Sequence, residues 1–251
     1  MRIISLVPSI SEYLWTLGLE EEVVGITKFC VHPNSWWKNK TRVGGTKNLN
    51  FQTIEALQPT LIIANKEENS KEDIIHLNTK FEVLLTDINS LDDAFHFLLK
   101  IGESVGKREK SIEFVDQLKR MFFNLEHIGG KTCFLYFIWK DPFYVVGPNT
   151  YIDSLLGYFG WSNYCKIDRY PALNAVLALD AHYKNKVDVI FLSSEPYPFE
   201  QKHIAQLQEI FPNSKIIIVD GEICSWYGSR MILAPSYMKK LQKAISKIEK
   251  D

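Results

Sequence analysis

The residues in this chain best suited to chemistry are aromatics standing beside lysine or arginine, in short segments that follow apolar runs. Thr27-Lys28-Phe29-Cys30-Val31-His32-Pro33 leads into Trp36-Trp37, and Val43-Gly44-Gly45-Thr46-Lys47-Asn48 is a glycine turn carrying a cation. Asn65-Lys66-Glu67-Glu68-Asn69 follows a third apolar run. The second half repeats the theme with Trp139-Lys140-Asp141-Pro142-Phe143-Tyr144 and Asp168-Arg169-Tyr170-Pro171. It adds Ser193-Ser194-Glu195-Pro196-Tyr197-Pro198-Phe199 and a segment from Glu222 through Trp226-Tyr227-Gly228-Ser229-Arg230. Rings offer flat apolar surface, while guanidinium and ammonium groups stack on rings and pair with carboxylates. Such a lining suits a large ligand with flat or apolar faces and carboxylates or amides at its edge. Each segment alone is equally well explained as a solvated turn with one buried aromatic. Their shared position after strands points to binding.

On this reading Trp36, Trp139, Tyr144 and Trp226 pack on the ligand, and Lys47, Lys66, Arg169 and Arg230 meet its acidic periphery. Ser9 opens a helix whose first backbone N–H groups can face an anion. Phe29, Asn65 and Tyr170 complete the ligand-binding set. The placement of Trp226 predicts that Trp226→Ala weakens binding with little loss of thermal stability.

No constellation demands catalysis, so the expectation is a protein that is not an enzyme, with no catalytic residues, no cofactor and no metal ligands of its own. Gly129-Gly130-Lys131-Thr132 resembles the end of a phosphate-binding loop, but that loop needs a glycine where Leu125 stands, and it runs from strand to helix. GxSxG, GxGxxG and HExxH are absent. The histidines (His32, His76, His96, His127, His182, His203) lack metal-ligand spacing. Cys30, Cys133, Cys165 and Cys224 form no CxxC pair and fit neither a zinc site nor a small disulfide framework.

These residues need a scaffold, and the apolar pattern predicts one. Ile3–Val7, Val23–Ile26, Leu61–Ala64 and Phe81–Leu85 read as strands, alternating with helices from Ser9 (capped across Ser9-Ile10-Ser11-Glu12), over Phe51–Leu57 and over Ser70–Asn78. From Leu91 to His127 only Gly102 and Gly106 interrupt a helical pattern, and Ile112, Val115, Leu118, Phe122 and Leu125 share one face. A helix of about twenty residues there would span ~30 Å. Strands at Thr132–Ile138, Tyr144–Val146, Val187–Leu192 and Lys215–Val219 then resume the alternation, with helices at Tyr151–Phe159, His203–Phe211 and Ser236–Lys250. The fold class is therefore α/β: two Rossmann-like lobes with central parallel sheets, joined by one long helix. The expected divisions are an N-terminal lobe at 1–105, a connecting backbone helix at 106–129 and a C-terminal lobe at 130–251. A single helix between lobes predicts no large closure.

Composition narrows the partners. The chain has 251 residues, with 29 Lys plus Arg against 30 Asp plus Glu, so no global field recruits nucleic acid. No run approaches the roughly 20 apolar residues of a membrane span. The opening MRIISLVPSISEYL lacks the apolar core of a secretory signal, which keeps a cytoplasmic location open.

Arg2 through Glu12, then Leu17-Gly18 and Val23-Val-Gly-Ile-Thr27, resemble the opening of the iron-chelate and cobalamin periplasmic-binding proteins. Val43-Gly-Gly-Thr-Lys-Asn-Leu-Asn-Phe51 and Ile54 through Ala64 are the most specific match. Asp188–Leu192 and Gly228-Ser-Arg230 agree with the second lobe. The resemblance implies a class III binding protein, monomeric and extracytoplasmic, that captures a ferric siderophore, haem or corrinoid in the cleft between lobes. Any iron or cobalt would arrive inside that ligand. It also implies docking onto an inner-membrane ABC permease through one carboxylate per lobe, with Glu67, Glu68 and Glu72 as first-lobe candidates and Glu195 and Glu200 as second-lobe candidates. The alternative is a cytoplasmic corrinoid, haem or metal-chelate chaperone or sensor on the same scaffold. An enzyme on this fold ranks last, since no redox motif or acid–base set is visible.

Overall fold

The computed structural model describes residues 1–123, 125, 128–180 and 182–246, and of Lys184 the backbone only. The parts of the expected connecting helix at 124, 126 and 127, and the expected end of the last helix beyond 246, lie outside the described residues. The chain divides into two compact units: Met1–Ile88 with Asp92–Gln117 and Tyr227–Ser229, and Asn89–Leu91 with Leu118–Trp226 and Arg230–Asp251.

In the first unit the order is β1 (Ile3–Ser5), α1 (Pro8–Thr16), β2 (Val23–Ile26), α2 (Asn34–Asn39), β3 (Thr41–Arg42), β4 (Gly44–Gly45), β5 (Asn48–Leu49), α3 (Phe51–Leu57), β6 (Leu61–Asn65), α4 (Lys71–Asn78) and β7 (Val83–Thr86). The sheet runs β3-β2-β1-β6-β7 with every pairing parallel. Parallel strands are covered on both faces, which is why every residue of β1 and β6 is buried and why both open on consecutive apolar residues. Ile4, Leu6, Ile62 and Ala64 meet Val43, Ile54, Ile74 and Leu77 in one core. Burying each Ile or Leu contributes roughly 1.5–3 kcal/mol.

The helix ends follow local chemistry. Ser70 caps α4 by accepting from the Asp73 N–H at 3.2 Å, as its spacing predicts. Asn50 caps α3 in the same way. The expected cap by Ser9 is replaced: α1 begins two residues earlier than that cap implies, at Pro8, with Val7 at its N-cap and no side-chain cap. Proline at the first helical position gives up an N–H that would have lacked a partner anyway.

The region from Leu91 onward forms two helices, α5 (Leu91–Ser104) and α6 (Arg108–Phe122), divided by a turn through Gly106. At 15 residues α6 is about 22 Å long, shorter than the expected twenty-residue rod. Residues 108–117 belong to the first unit and 118–122 to the second. Gly102 lies inside α5 and serves packing: a Cβ there would stand 2.2 Å from Ser111 Cβ on α6. Ser111 Oγ donates to the Leu98 carbonyl at 2.8 Å and accepts from the Tyr13 hydroxyl at 2.9 Å, joining α1, α5 and α6 within the first unit.

The second unit holds β8 (Cys133–Trp139), β9 (Tyr144–Val145), α7 (Tyr151–Tyr158), β10 (Ser162–Asn163), α8 (Leu173–Leu177), β11 (Val189–Ser193), α9 (Gln201–Ile210), β12 (Lys215–Val219), α10 (Gly221–Ser225) and α11 (Ala234–Ser246). Its sheet runs β10-β8-β11-β12 in parallel, with β9 antiparallel on β8. Leu135 and Phe137 face a core containing Val145, Leu207 and Phe211, while Phe134 and Tyr136 on the opposite face pack on Phe191. Among the described residues, no helix is long and apolar enough to cross a membrane.

Candidate ligand-binding faces

In a doubly wound sheet, ligands settle at the carboxyl ends of strands where the winding reverses. In the second unit the chain winds from β8 outward to β10, then returns to β11 on the other side, so the reversal lies between β8 and β11. Trp139 is the last residue of β8, and Tyr197 stands four residues after β11. Their rings meet edge to face with centroids 5.8 Å apart and planes at 68°. Trp139 remains 44% exposed, an unusual state for an indole anchored on a buried strand.

Neighbouring strand-end loops supply polar groups. Arg169 adopts a left-handed backbone (φ 68°), sparsely populated for a side chain of its size. Its Nη1 donates to Asn89 Oδ1 at 2.5 Å and to the Asn149 carbonyl at 3.2 Å, and its guanidinium lies 5.7 Å from the Tyr170 ring centre. Tyr144 is half-buried on β9, bridged through its backbone to Ala172. After β12, the Arg230 guanidinium lies 5.0 Å above the Trp226 ring and pairs with Glu222 at 2.8 Å. Trp226 is only 8% exposed, so the indole is a buried platform for arginine, contrary to the open stacking surface its loop position suggests. Glu195 Oε1 accepts from Trp226 Nε1 at 2.6 Å and from Ser225 Oγ at 3.1 Å.

In the first unit the reversal lies between β1 and β6. The buried Tyr227 of this unit is bonded to the side chains of Ser9, which follows β1, and Thr86, which ends β7. Burial, followed by the charges of Glu68 and Glu67, pushes this phenol well above its usual range. Ser9 is thereby buried and engaged. Ser229 Oγ lies 2.7 Å from Thr16 Oγ1 in the same unit. Nearby, the Cys30 thiol is buried between Ser11 Oγ at 3.0 Å and Thr27 Oγ1 at 3.2 Å, and desolvation raises it.

Two exposed aromatics of this unit pair with cations. Phe29 is 50% exposed with Lys28 Nζ 5.0 Å from its ring centre, and Trp37 is 39% exposed with the Arg42 guanidinium at 4.7 Å. Trp37 Nε1 donates to the Lys28 carbonyl at 3.3 Å, tying the two pairs together. Trp36, expected to pack on the ligand, is instead fully buried, because the inward face of short α2 points it into the unit. Asn65 is also internal: its Oδ1 accepts from the Glu67 and Glu68 N–H groups, and its Nδ2 donates to Thr86. Lys47 is anchored on the Glu67 and Asn69 carbonyls, and Lys66 pairs with Asp87 at 2.5 Å.

Lys28, Trp37, Arg42 and Tyr227 were missing from the sequence-derived set. One signal was available for the first three. Between Glu22 and Glu55 the chain has no acidic residue, yet it carries Lys28, Lys38, Lys40, Arg42 and Lys47.

The sequence profile of the periplasmic binding protein family matches residues 3–210. The chain belongs to that family. An uncharacterized ABC transporter substrate-binding lipoprotein of Bacillus subtilis, YvrC, is 25% identical over 166 residues, covering 62% of this chain and 52% of its own. A vitamin B12-binding protein of Pectobacterium carotovorum is 25% identical over 129 residues, covering 51% of this chain and 46% of its own. The chain thus spans about half the length of the curated relatives it matches. The periplasmic heme-binding protein RhuT from Roseiflexus sp. RS-1 superposes over 98% of both chains with a TM-score of 0.78 at 19% identity, which shows the shared class III fold.

In this periplasmic binding protein the acidic residues expected to dock a permease differ in setting. Glu72 is exposed in the first turn of α4, and Glu200 is exposed at the N-cap of α9, paired with Lys202 at 2.7 Å. Glu67 is half-buried. Glu68 has an exposed surface, but desolvation outweighs nearby Lys47 and raises its carboxyl above the ordinary range.

Proposed function

We propose that this chain is the substrate-binding protein of an ABC importer, capturing a metal chelate with flat or apolar faces and a carboxylate- or amide-bearing rim. A corrinoid, haem or a ferric siderophore has that chemistry. The observation that carries this reading is Trp139, exposed at the winding reversal of the second sheet and braced by Tyr197. Arg169 and Tyr170 of the same unit supply a further cation and ring, and the first unit carries aromatic–cation pairs of its own at Lys28–Phe29 and Arg42–Trp37. The names of a B12-binding relative and a heme-binding structural neighbour support the same ligand class.

No covalent step is required, and any iron or cobalt travels within the ligand. Delivery to a membrane permease, from the extracytoplasmic side and as a monomer, belongs to this reading, with Glu72 and Glu200 as its contacts. Gel filtration of the protein mixed with haemin or cyanocobalamin tests it. Ligand absorbance co-eluting with the protein near one equivalent is expected for one of them or for a ferric siderophore. Elution of every chelate at its free position would overturn the reading.

A further inference from the structure

Glu195 follows β11 and was expected to serve as a contact for a membrane partner, but it is half-buried and one of its carboxylate oxygens is engaged by its own unit. Oε1 accepts two hydrogen bonds, from Trp226 Nε1 at 2.6 Å and Ser225 Oγ at 3.1 Å. The space it occupies exists because residue 221 is glycine: a Cβ there would stand 2.6 Å from Glu195 Cγ, 2.6 Å from Ser193 Oγ and 2.8 Å from the Glu195 nitrogen. Gly221 is held in turn by its N–H, which donates to Ser194 Oγ at 2.9 Å. The indole fixed at its edge by Glu195 carries the Arg230 guanidinium 5.0 Å above its ring, and Glu222 fixes that guanidinium from the side at 2.8 Å.

We infer that Glu195 is a positioning residue of the second unit's binding face, orienting Arg230 for the rim of the ligand through the indole of Trp226, with Gly221 providing the clearance. This inference rests on the binding function proposed above and adds a specific role within it. A charge-assisted bond to an indole N–H fixes ring rotation, and a stacked guanidinium then has one preferred plane. A solvent-facing docking carboxylate would need neither the indole nor the glycine.

The test compares Glu195→Ala, Glu195→Gln and Gly221→Ala in the full chain. The first readout needs no ligand: acrylamide quenching of tryptophan emission. Glu195→Ala and Gly221→Ala should each raise the quenchable fraction, and the increase should vanish in a Trp226→Phe background. Glu195→Gln keeps an acceptor oxygen and should stay near wild type. The second readout is affinity for haemin or cyanocobalamin, whichever the wild type binds. Glu195→Ala and Gly221→Ala should weaken it about tenfold, the scale of one lost charge-assisted hydrogen bond, and Glu195→Gln should largely restore it. Unchanged quenching in Glu195→Ala, or unchanged affinity in a folded Glu195→Ala protein, would overturn the assignment. If the wild type binds neither probe, the affinity arm uses a ferric catecholate or hydroxamate; binding of no chelate at all fails the proposed function, while the quenching arm still decides whether Glu195 holds Trp226.

Discussion

Trp139 and Tyr197 meet edge to face, with ring centroids 5.8 Å apart, at the carboxyl ends of β8 and β11. The tyrosine also packs against the buried core of its unit, whereas the tryptophan leaves nearly half its surface to solvent. The pair therefore joins a structural ring to a presented one. Trp139→Ala should lower chelate affinity about tenfold while costing ~0.5–1.5 kcal/mol of stability, the value of the lost aromatic pair. Calorimetric titration and thermal melts would check both. A large loss of stability with unchanged affinity would make Trp139 a structural residue.

Neighbouring tryptophans should behave oppositely. Trp36 is fully buried and Trp37 is 39% exposed. Trp36→Ala should cost about 3–5 kcal/mol in urea unfolding, the range for a deleted core aromatic. Trp37→Ala should leave the unfolding midpoint nearly unchanged and weaken chelate binding. Equal stability losses in the two variants would contradict the burial on which this contrast rests.

Gly102 offers a case where two effects oppose. Alanine in a helix interior is favoured over glycine by about 1 kcal/mol. Here its methyl would stand 2.2 Å from Ser111 Cβ, and overpacking of that kind costs roughly 1–3 kcal/mol. Gly102→Ala should therefore be net destabilising, read as a lower urea midpoint than wild type. Stabilisation by Gly102→Ala alone would show that α5 and α6 are not packed this closely.

Stability should fall at alkaline pH. Burial pushes the Cys224 thiol from its usual value of 9.0 up to about 12 and the Tyr13 phenol from 10.0 up to about 12. The Cys133 thiol rises to about 11 for the same reason, with Asp188 adding to it. Below about pH 9 these groups are protonated folded or unfolded and add no slope. Between about pH 9 and 12 the unfolded chain releases protons that the folded chain keeps, so stability declines as pH rises. Urea midpoints at pH 7, 8.5, 10 and 11 should be level over the first two and then drop. A midpoint unchanged to pH 11 would contradict the burial of these groups.

Much of the scaffold was legible because its signals are local. Unbroken apolar runs such as Leu61–Ala64 mark strands buried on both faces, and Ser70 with Asp73 marks a capped helix. The connecting helix was legible as a stretch free of Gly and Pro, and α6 (Arg108–Phe122) lies within it, whereas Gly102 and Gly106 look alike in sequence, yet one lies inside α5 and the other in the turn that follows it. Strand-end position singles out Trp139 and Arg169 alike, but it does not separate a residue facing outward from one that builds the loop. Asn65 follows the rule and is consumed by backbone N–H groups of its own loop. Tyr227 had no local signal at all: its partners, Ser9 and Thr86, are distant in sequence, and only tertiary structure brings them together.

The most direct test of the central claim is a tryptophan-fluorescence titration, corrected for ligand absorbance, of wild type and Trp139→Ala against cyanocobalamin, haemin, a ferric catecholate, a ferric hydroxamate and free divalent metals. The account predicts saturable quenching of the wild type by one chelate class and not by its free metal, with affinity reduced about tenfold in Trp139→Ala. Silence toward every chelate, or a response to a bare ion alone, would contradict it.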